Sequence, residues 1–105
     1  MADEFEKVAE VSEIPLGKTK IVRLGGIEMF VANIEGSFFA MSNKCTHVGA
    51  PLSRGMLIGN VIQCPWHGSR FDVKTGAVLK GPAQQRETTF EVKVEGNSIW
   101  VKKPT

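Results

Sequence analysis

The chain has 105 residues, 42% of them hydrophobic and 23% charged, enough apolar material for one small core and too little length for a second. Lys and Arg total 13 against 11 Asp and Glu, a formal net charge of +2 with no polybasic run, so neither nucleic acid nor an anionic membrane surface is an expected partner. The start, Met1-Ala2-Asp3-Glu4-Phe5-Glu6-Lys7, is acidic where a signal peptide is basic and then apolar, and no apolar run approaches a membrane span; the expectation is one cytoplasmic domain over residues 1–105.

In chain order, residues 8–14 allow a turn or two of helix, which Pro15 cuts short. Residues 20–24 and 27–34 read as a β-hairpin, because Gly25-Gly26 between them supplies the positive φ values of a tight turn. Glu35-Gly36 turns the chain into Ser37-Phe38-Phe39-Ala40-Met41, a run apolar enough for a strand buried on both faces. Two short apolar runs flank Gly59-Asn60 and predict a further hairpin over residues 56–63. Phe90-Glu91-Val92-Lys93-Val94-Glu95 alternates apolar and charged residues and reads as one strand, joined through Gly96-Asn97 to Ser98-Ile99-Trp100-Val101-Lys102. Only residues 102–105 look like a frayed tail. Short strands at regular intervals with glycine punctuation argue an all-β sandwich or barrel.

The chemistry-bearing residues are clustered. The two cysteines and two histidines form Cys45-Thr46-His47 and Cys64-Pro65-Trp66-His67, separated by sixteen residues, and the hairpin predicted between them carries both pairs to the same end of a sheet. In a reducing compartment two such cysteines point to metal or catalysis rather than a disulfide. A catalytic Cys–His couple explains one pair and leaves the other idle. Tetrahedral zinc accepts these four ligands, although its usual spacing pairs like with like. An iron–sulfur cluster with both thiolates on one iron and both imidazoles on the other accounts for the mixing directly, since each loop then sends one ligand to each metal.

Cys45-Thr46-His47-Val48-Gly49 and Cys64-Pro65-Trp66-His67-Gly68-Ser69 resemble the two boxes of Rieske-type [2Fe–2S] proteins. The resemblance runs on through Arg70-Phe71-Asp72-Val73-Lys74-Thr75-Gly76, similar to the strand and turn after the second box, and through Gly81-Pro82-Ala83, similar to the family's proline loop over the cluster. Roughly residues 5–103 of this chain can be laid on a small Rieske ferredoxin. The resemblance implies stacked antiparallel sheets with a cluster-binding tip formed by two loops. It also implies one [2Fe–2S] cluster per chain, held by Cys45, His47, Cys64 and His67. In Rieske proteins of cytochrome bc complexes the loops carry two further cysteines and a tyrosine. Here Ala50, Trp66 and Phe71 stand in their places, which leaves Ser69 as the one high-potential feature and makes the chain similar to soluble ferredoxins that feed ring-hydroxylating oxygenases, or to related archaeal and bacterial carriers whose partners vary.

With two Fe(III), two sulfides, two thiolates and neutral imidazoles, the oxidised core is neutral and the reduced core carries one negative charge. A cluster held by four cysteines is more negative by two units and harder to reduce, in line with about −150 to +300 mV for the Rieske class against about −400 mV for plant-type ferredoxins. The imidazole-bound iron is the one that takes the electron, so His47 and His67 form the exit port and a partner docks over them. No dinucleotide fingerprint and no acid/base carboxylate pair is present, Glu87 and Asp72 included. The implied role is therefore a non-enzymatic one-electron carrier from a reductase to a terminal oxygenase or other oxidoreductase. The alternatives are a small Rieske subunit of a fixed complex and, from another class, a zinc-stabilised binding module. Lys44, Arg54 and Arg70 are candidates for a docking rim or ordinary solvated charges; Pro51 and Pro82 stiffen loops; Trp66 is a candidate wall between cluster and water; and Trp100 is a packing residue.

Overall fold

The computed structural model describes residues 4–46, 49–66 and 68–103. Eleven strands follow one another: β1 (Phe5–Glu10), β2 (Thr19–Leu24), β3 (Ile27–Ile34), β4 (Ser37–Ser42), β5 (Met56–Ile58), β6 (Val61–Gln63), β7 (Arg70–Asp72), β8 (Val78–Lys80), β9 (Thr89–Phe90), β10 (Val92–Glu95) and β11 (Ser98–Lys102). The 3-10 turns Val11–Glu13 and Leu52–Arg54 lie between the strands, and among the described residues no helix is long and apolar enough to cross a membrane. The strands make three antiparallel sheets, ordered β1-β11-β10, β2-β3-β4-β9 and β5-β6-β7-β8.

The predicted hairpins are present. Leu24 pairs with Ile27 across Gly25 and Gly26, whose φ values of 60° and 80° suit the primed turn that a two-residue connection between twisted strands requires. Ile58 pairs with Val61 across Gly59-Asn60, and Glu95 with Ser98 across Gly96-Asn97. Strands β3 and β4 are apolar on both faces because their sheet lies between two cores. On one side Met29, Val31 and Ala40 pack with Val22, Leu24, Ile99 and Val101, joining the second sheet to the first. On the other, Phe30, Ala32 and Met41 pack with Ile62, Phe71, Val73, Cys45 and Cys64, joining it to the third. The architecture is thus a layered all-β fold with the cysteines in one of its two cores.

Two expectations are corrected. Residues 8–14 are not helical beyond the single turn Val11–Glu13: the preceding segment is β1, paired with β11 from Phe5↔Lys102 to Glu10↔Ser98. Residues 90–95 are not one strand. Phe90 pairs with Ala40 in the second sheet and Val92 with Val101 in the first, so the chain changes sheets at Glu91, whose carbonyl accepts the Lys102 N–H at 2.9 Å. The predicted fray does not include Lys102, which is in β11, or Lys103, whose N–H donates to the Glu4 carbonyl at 2.8 Å; Pro104 and Thr105 lie outside the described residues.

Candidate metal centre

The cysteines sit on two loops built alike. In the first, the Cys45 N–H donates to the Ala50 carbonyl at 2.9 Å; in the second, the Cys64 N–H donates to the Ser69 carbonyl at 2.7 Å. Each loop is therefore closed by a backbone bond from its cysteine to the residue five further on. The first loop is anchored below by the buried Asn43. Its Nδ2 donates to Glu28 Oε2 at 2.7 Å, its Oδ1 accepts the Ser53 N–H at 2.7 Å, and its carbonyl accepts the Leu52 N–H at 2.9 Å. The second loop is held by the hairpin beneath it, since β6 delivers Cys64 and β7 leads away from Ser69.

A third segment straps the two together. The Ala83 N–H donates to the buried Ser69 Oγ at 3.0 Å, fixing the predicted proline loop to the second cysteine loop. The Thr46 Oγ1 donates to the Gln85 carbonyl at 2.6 Å and the Thr46 N–H to Glu87 Oε2 at 2.8 Å, fixing the same segment to the first.

Both thiols are buried in the core that contains Phe71, Ile62 and Leu52, and they are not joined in a disulfide. Burial pushes the Cys64 thiol above its ordinary pKa; the Trp66 N–H directed at the sulfur opposes this, while the neighbouring Cys45 thiol pushes it further up. Two adjacent sulfurs in such a place ionise together only if a cation neutralises them, and this donor set fits a thiolate-bound metal. The fit extends to an iron–sulfur cluster, whose thiolate side needs seclusion from water and N–H donors toward sulfur, as Phe71, Leu52 and the Trp66 amide provide.

The structure thus brings Cys45 and Cys64 together, while His47 and His67 lie outside the described residues. Trp66 leaves 56% of its surface in solvent and does not seal the site. Lys44, Arg54 and Arg70 are exposed, and the Arg70 Nε donates to Gln63 Oε1 at 2.8 Å. Trp100 packs within the first sheet near Lys93, as expected of a residue with no part in the site. Glu87, to which the sequence assigns no role beyond belonging to no acid/base pair, is only 3% exposed. Burial lifts its carboxyl from an ordinary 4.5 to about 7, against the Thr46 amide, which favours the ionised form. Nothing in Gln84-Gln85-Arg86-Glu87-Thr88 signals this: the neighbours are polar, and the burial arises from contacts with Gly76 and the first cysteine loop.

Comparison with known proteins agrees with this geometry. The chain is 38% identical over 101 residues to the ferredoxin component of the naphthalene 1,2-dioxygenase system of Pseudomonas aeruginosa, covering 96% of this chain and 97% of that protein. Among solved structures it matches the ferredoxin of carbazole 1,9a-dioxygenase from Nocardioides aromaticivorans IC177, with TM-score 0.92 and 31% identity over 95% of this chain and 98% of that one. It also matches a chain in a complex of reduced oxygenase and oxidised ferredoxin of carbazole 1,9a-dioxygenase, with TM-score 0.90 and 34% identity over 97% of each. The family model for the Rieske [2Fe-2S] domain matches residues 4–100, and with two secluded thiols on twin loops at its centre this chain belongs to that family.

Proposed function

We propose that this protein is a cytoplasmic one-electron carrier that passes electrons from a reductase to an oxygenase, itself catalysing no reaction. Cys45 and Cys64 hold one iron of a single [2Fe–2S] cluster, and His47 and His67 hold the other. The observation that carries this reading is the convergence of two buried thiols from twin loops in a chain matched along nearly its whole length by ferredoxin components of dioxygenase systems. Bound there, the cluster accepts and gives up one electron at a time. The protein residues do the rest. Phe71, Ile62 and Leu52 exclude water from the thiolate side, so a change of charge there is felt strongly. The strap through Ala83, Gln85 and Glu87 ties the two loops to one another, which opposes their moving apart as the cluster changes charge.

The docking surface in this reading is the tip carrying His47 and His67, flanked by the half-exposed Trp66 and the exposed Lys44 and Arg54. An exposed aromatic and exposed charges suit a brief encounter better than a permanent interface.

Metal and sulfide analysis is the test. The purified protein is expected to contain about two iron and two acid-labile sulfide per chain, with broad visible absorption that bleaches partly on dithionite. Cys45→Ala and Cys64→Ala are each expected to abolish that absorption. Stoichiometric zinc without sulfide overturns the reading.

A further inference from the structure

Glu87 is not among the proposed ligands, yet it is the most deeply buried charged residue described in the chain and its carboxylate touches the first ligand loop. Three contacts define its place. Its Oε2 accepts the Thr46 N–H at 2.8 Å, its own N–H donates to the Gly76 carbonyl at 2.8 Å, and two residues earlier the Gln85 carbonyl accepts the Thr46 hydroxyl at 2.6 Å. Thr46 stands between Cys45 and His47 in the sequence, so an oxygen that fixes its amide fixes the peptide joining a thiolate ligand to an imidazole ligand. Burying an acid is costly, and an apolar residue would fill the same volume without that cost. The Thr46 amide explains why an acceptor belongs there: in this part-buried place, against a carboxylate that keeps water away, an amide left without one costs about 1–3 kcal/mol.

We propose that Glu87 is a positioning residue for the cluster, holding the first ligand loop in its metal-binding conformation through the Thr46 amide. The inference rests on the ligand assignment above. It makes Glu87 the part of the strap that acts on the cluster, whereas the Ala83 contact acts on the second loop.

The test compares Glu87→Gln, Glu87→Asp and Glu87→Leu by two measurements on the reconstituted holoprotein: the half-life of visible absorption under excess EDTA, and the EPR g values of the dithionite-reduced form. Glutamine keeps an acceptor oxygen at the same reach, so it is expected to lose the cluster no faster than wild type and to keep its g values. Leucine leaves the Thr46 N–H without a partner and is expected to shorten the half-life about tenfold, the rate equivalent of roughly 1.4 kcal/mol, and to shift the g values. Aspartate keeps the charge but withdraws the oxygen by one methylene, and is expected to fall between the two. If the leucine variant is not recovered folded, the glutamine and aspartate variants decide. Aspartate outlasting glutamine, or leucine matching wild type in both half-life and g values, overturns the proposal. Absence of iron and sulfide from wild type instead overturns the ligand assignment, so the two failures are separable.

Discussion

Gly76 offers a way to displace the strap without touching either cysteine loop. Its φ is +81°, and a Cβ added there would lie 2.2 Å from the Glu87 carbonyl oxygen and 3.1 Å from its carbonyl carbon. Gly96 has a similar φ of +62° with nothing within 4 Å of the same position. Asparagine tolerates the left-handed region better than other non-glycine residues, so placing it at both sites cancels most of the backbone cost and leaves the collision as the difference. Gly96→Asn is expected to cost under about 1 kcal/mol. Gly76→Asn must move the Glu87 backbone away from 2.2 Å, an overpacking cost of about 1–3 kcal/mol. It also weakens the bond between the Glu87 N–H and the Gly76 carbonyl, worth about 1 kcal/mol net. The sum of about 2–4 kcal/mol predicts a Tm lowered by roughly 10–30 °C for Gly76→Asn and by less than about 8 °C for Gly96→Asn, measured by far-UV circular dichroism. The same displacement reaches Thr46 through Glu87, so Gly76→Asn is also expected to bleach faster under EDTA, while Gly96→Asn keeps the wild-type rate. Equal Tm losses at the two positions would refute the claim that the strap is seated by close backbone approach at Gly76.

Other consequences follow from the same site. Phe71 is fully buried beside the cysteines and has no hydroxyl to donate to sulfur, so the midpoint is expected in the lower part of the Rieske range, about −150 to 0 mV. Phe71→Tyr is expected to raise it, and a variant whose hydroxyl meets sulfur with no rise counts against this account. For Glu87 the sign is that of an acid whose pKa is raised by folding: its contribution is most favourable below 4.5 and is lost as pH rises to about 7. Glu87→Gln is therefore expected to be more stable than wild type at pH 8, by at most about 3 kcal/mol, and equal to it near pH 4, as chemical denaturation at the two pH values would show. If His47 and His67 hold the reducible iron, as proposed, oxidation makes their outer N–H groups more acidic. Film voltammetry is then expected to give a flat midpoint at neutral pH and a fall of about 59 mV per pH unit in the alkaline range, whereas a flat profile throughout speaks against solvent-accessible imidazole ligands.

The meeting of the two cysteine loops was legible because its signal is local. A cysteine and a histidine two or three residues apart, twice, on either side of a hairpin, predict that the two loops converge, and the described cysteines do converge. Hairpins whose turns need positive φ were legible for the same reason, as at Gly25-Gly26. What depended on distant partners was not. Phe5-Glu6-Lys7-Val8-Ala9-Glu10 is rich in helix formers and becomes a strand only because the edge of β11 is there to pair with it. The alternation over residues 90–95 survives the crossing between sheets at Glu91, so periodicity alone cannot show that the strand is divided. Glu87 is the extreme case: its burial is produced by Gly76, eleven residues earlier, and by Thr46, forty-one residues earlier.

The middle sheet separates two tasks that compete in a protein this small. A redox site favours buried polar groups, N–H donors toward sulfur and backbone held against its preferences, and each of these costs stability. The core formed by Met29, Val31, Ile99 and Val101 holds neither thiol, and the buried Asn33 on its side of β3 is satisfied by the Ile14 carbonyl at 2.8 Å, so it supplies hydrophobic stabilisation at little such cost, about 1.5–3 kcal/mol for each large side chain fully buried. The core on the opposite face of the same sheet contains the thiols, with the buried Ser69 Oγ and the Glu87 carboxylate holding the strap at its edge. Strand β3 faces both, through Met29 and Val31 on one side and Phe30 and Ala32 on the other. Stability gained in the first core is therefore transmitted directly beneath the second. The cysteine loops can then be shaped by what the cluster requires, because the residues that keep the chain folded are largely a different set.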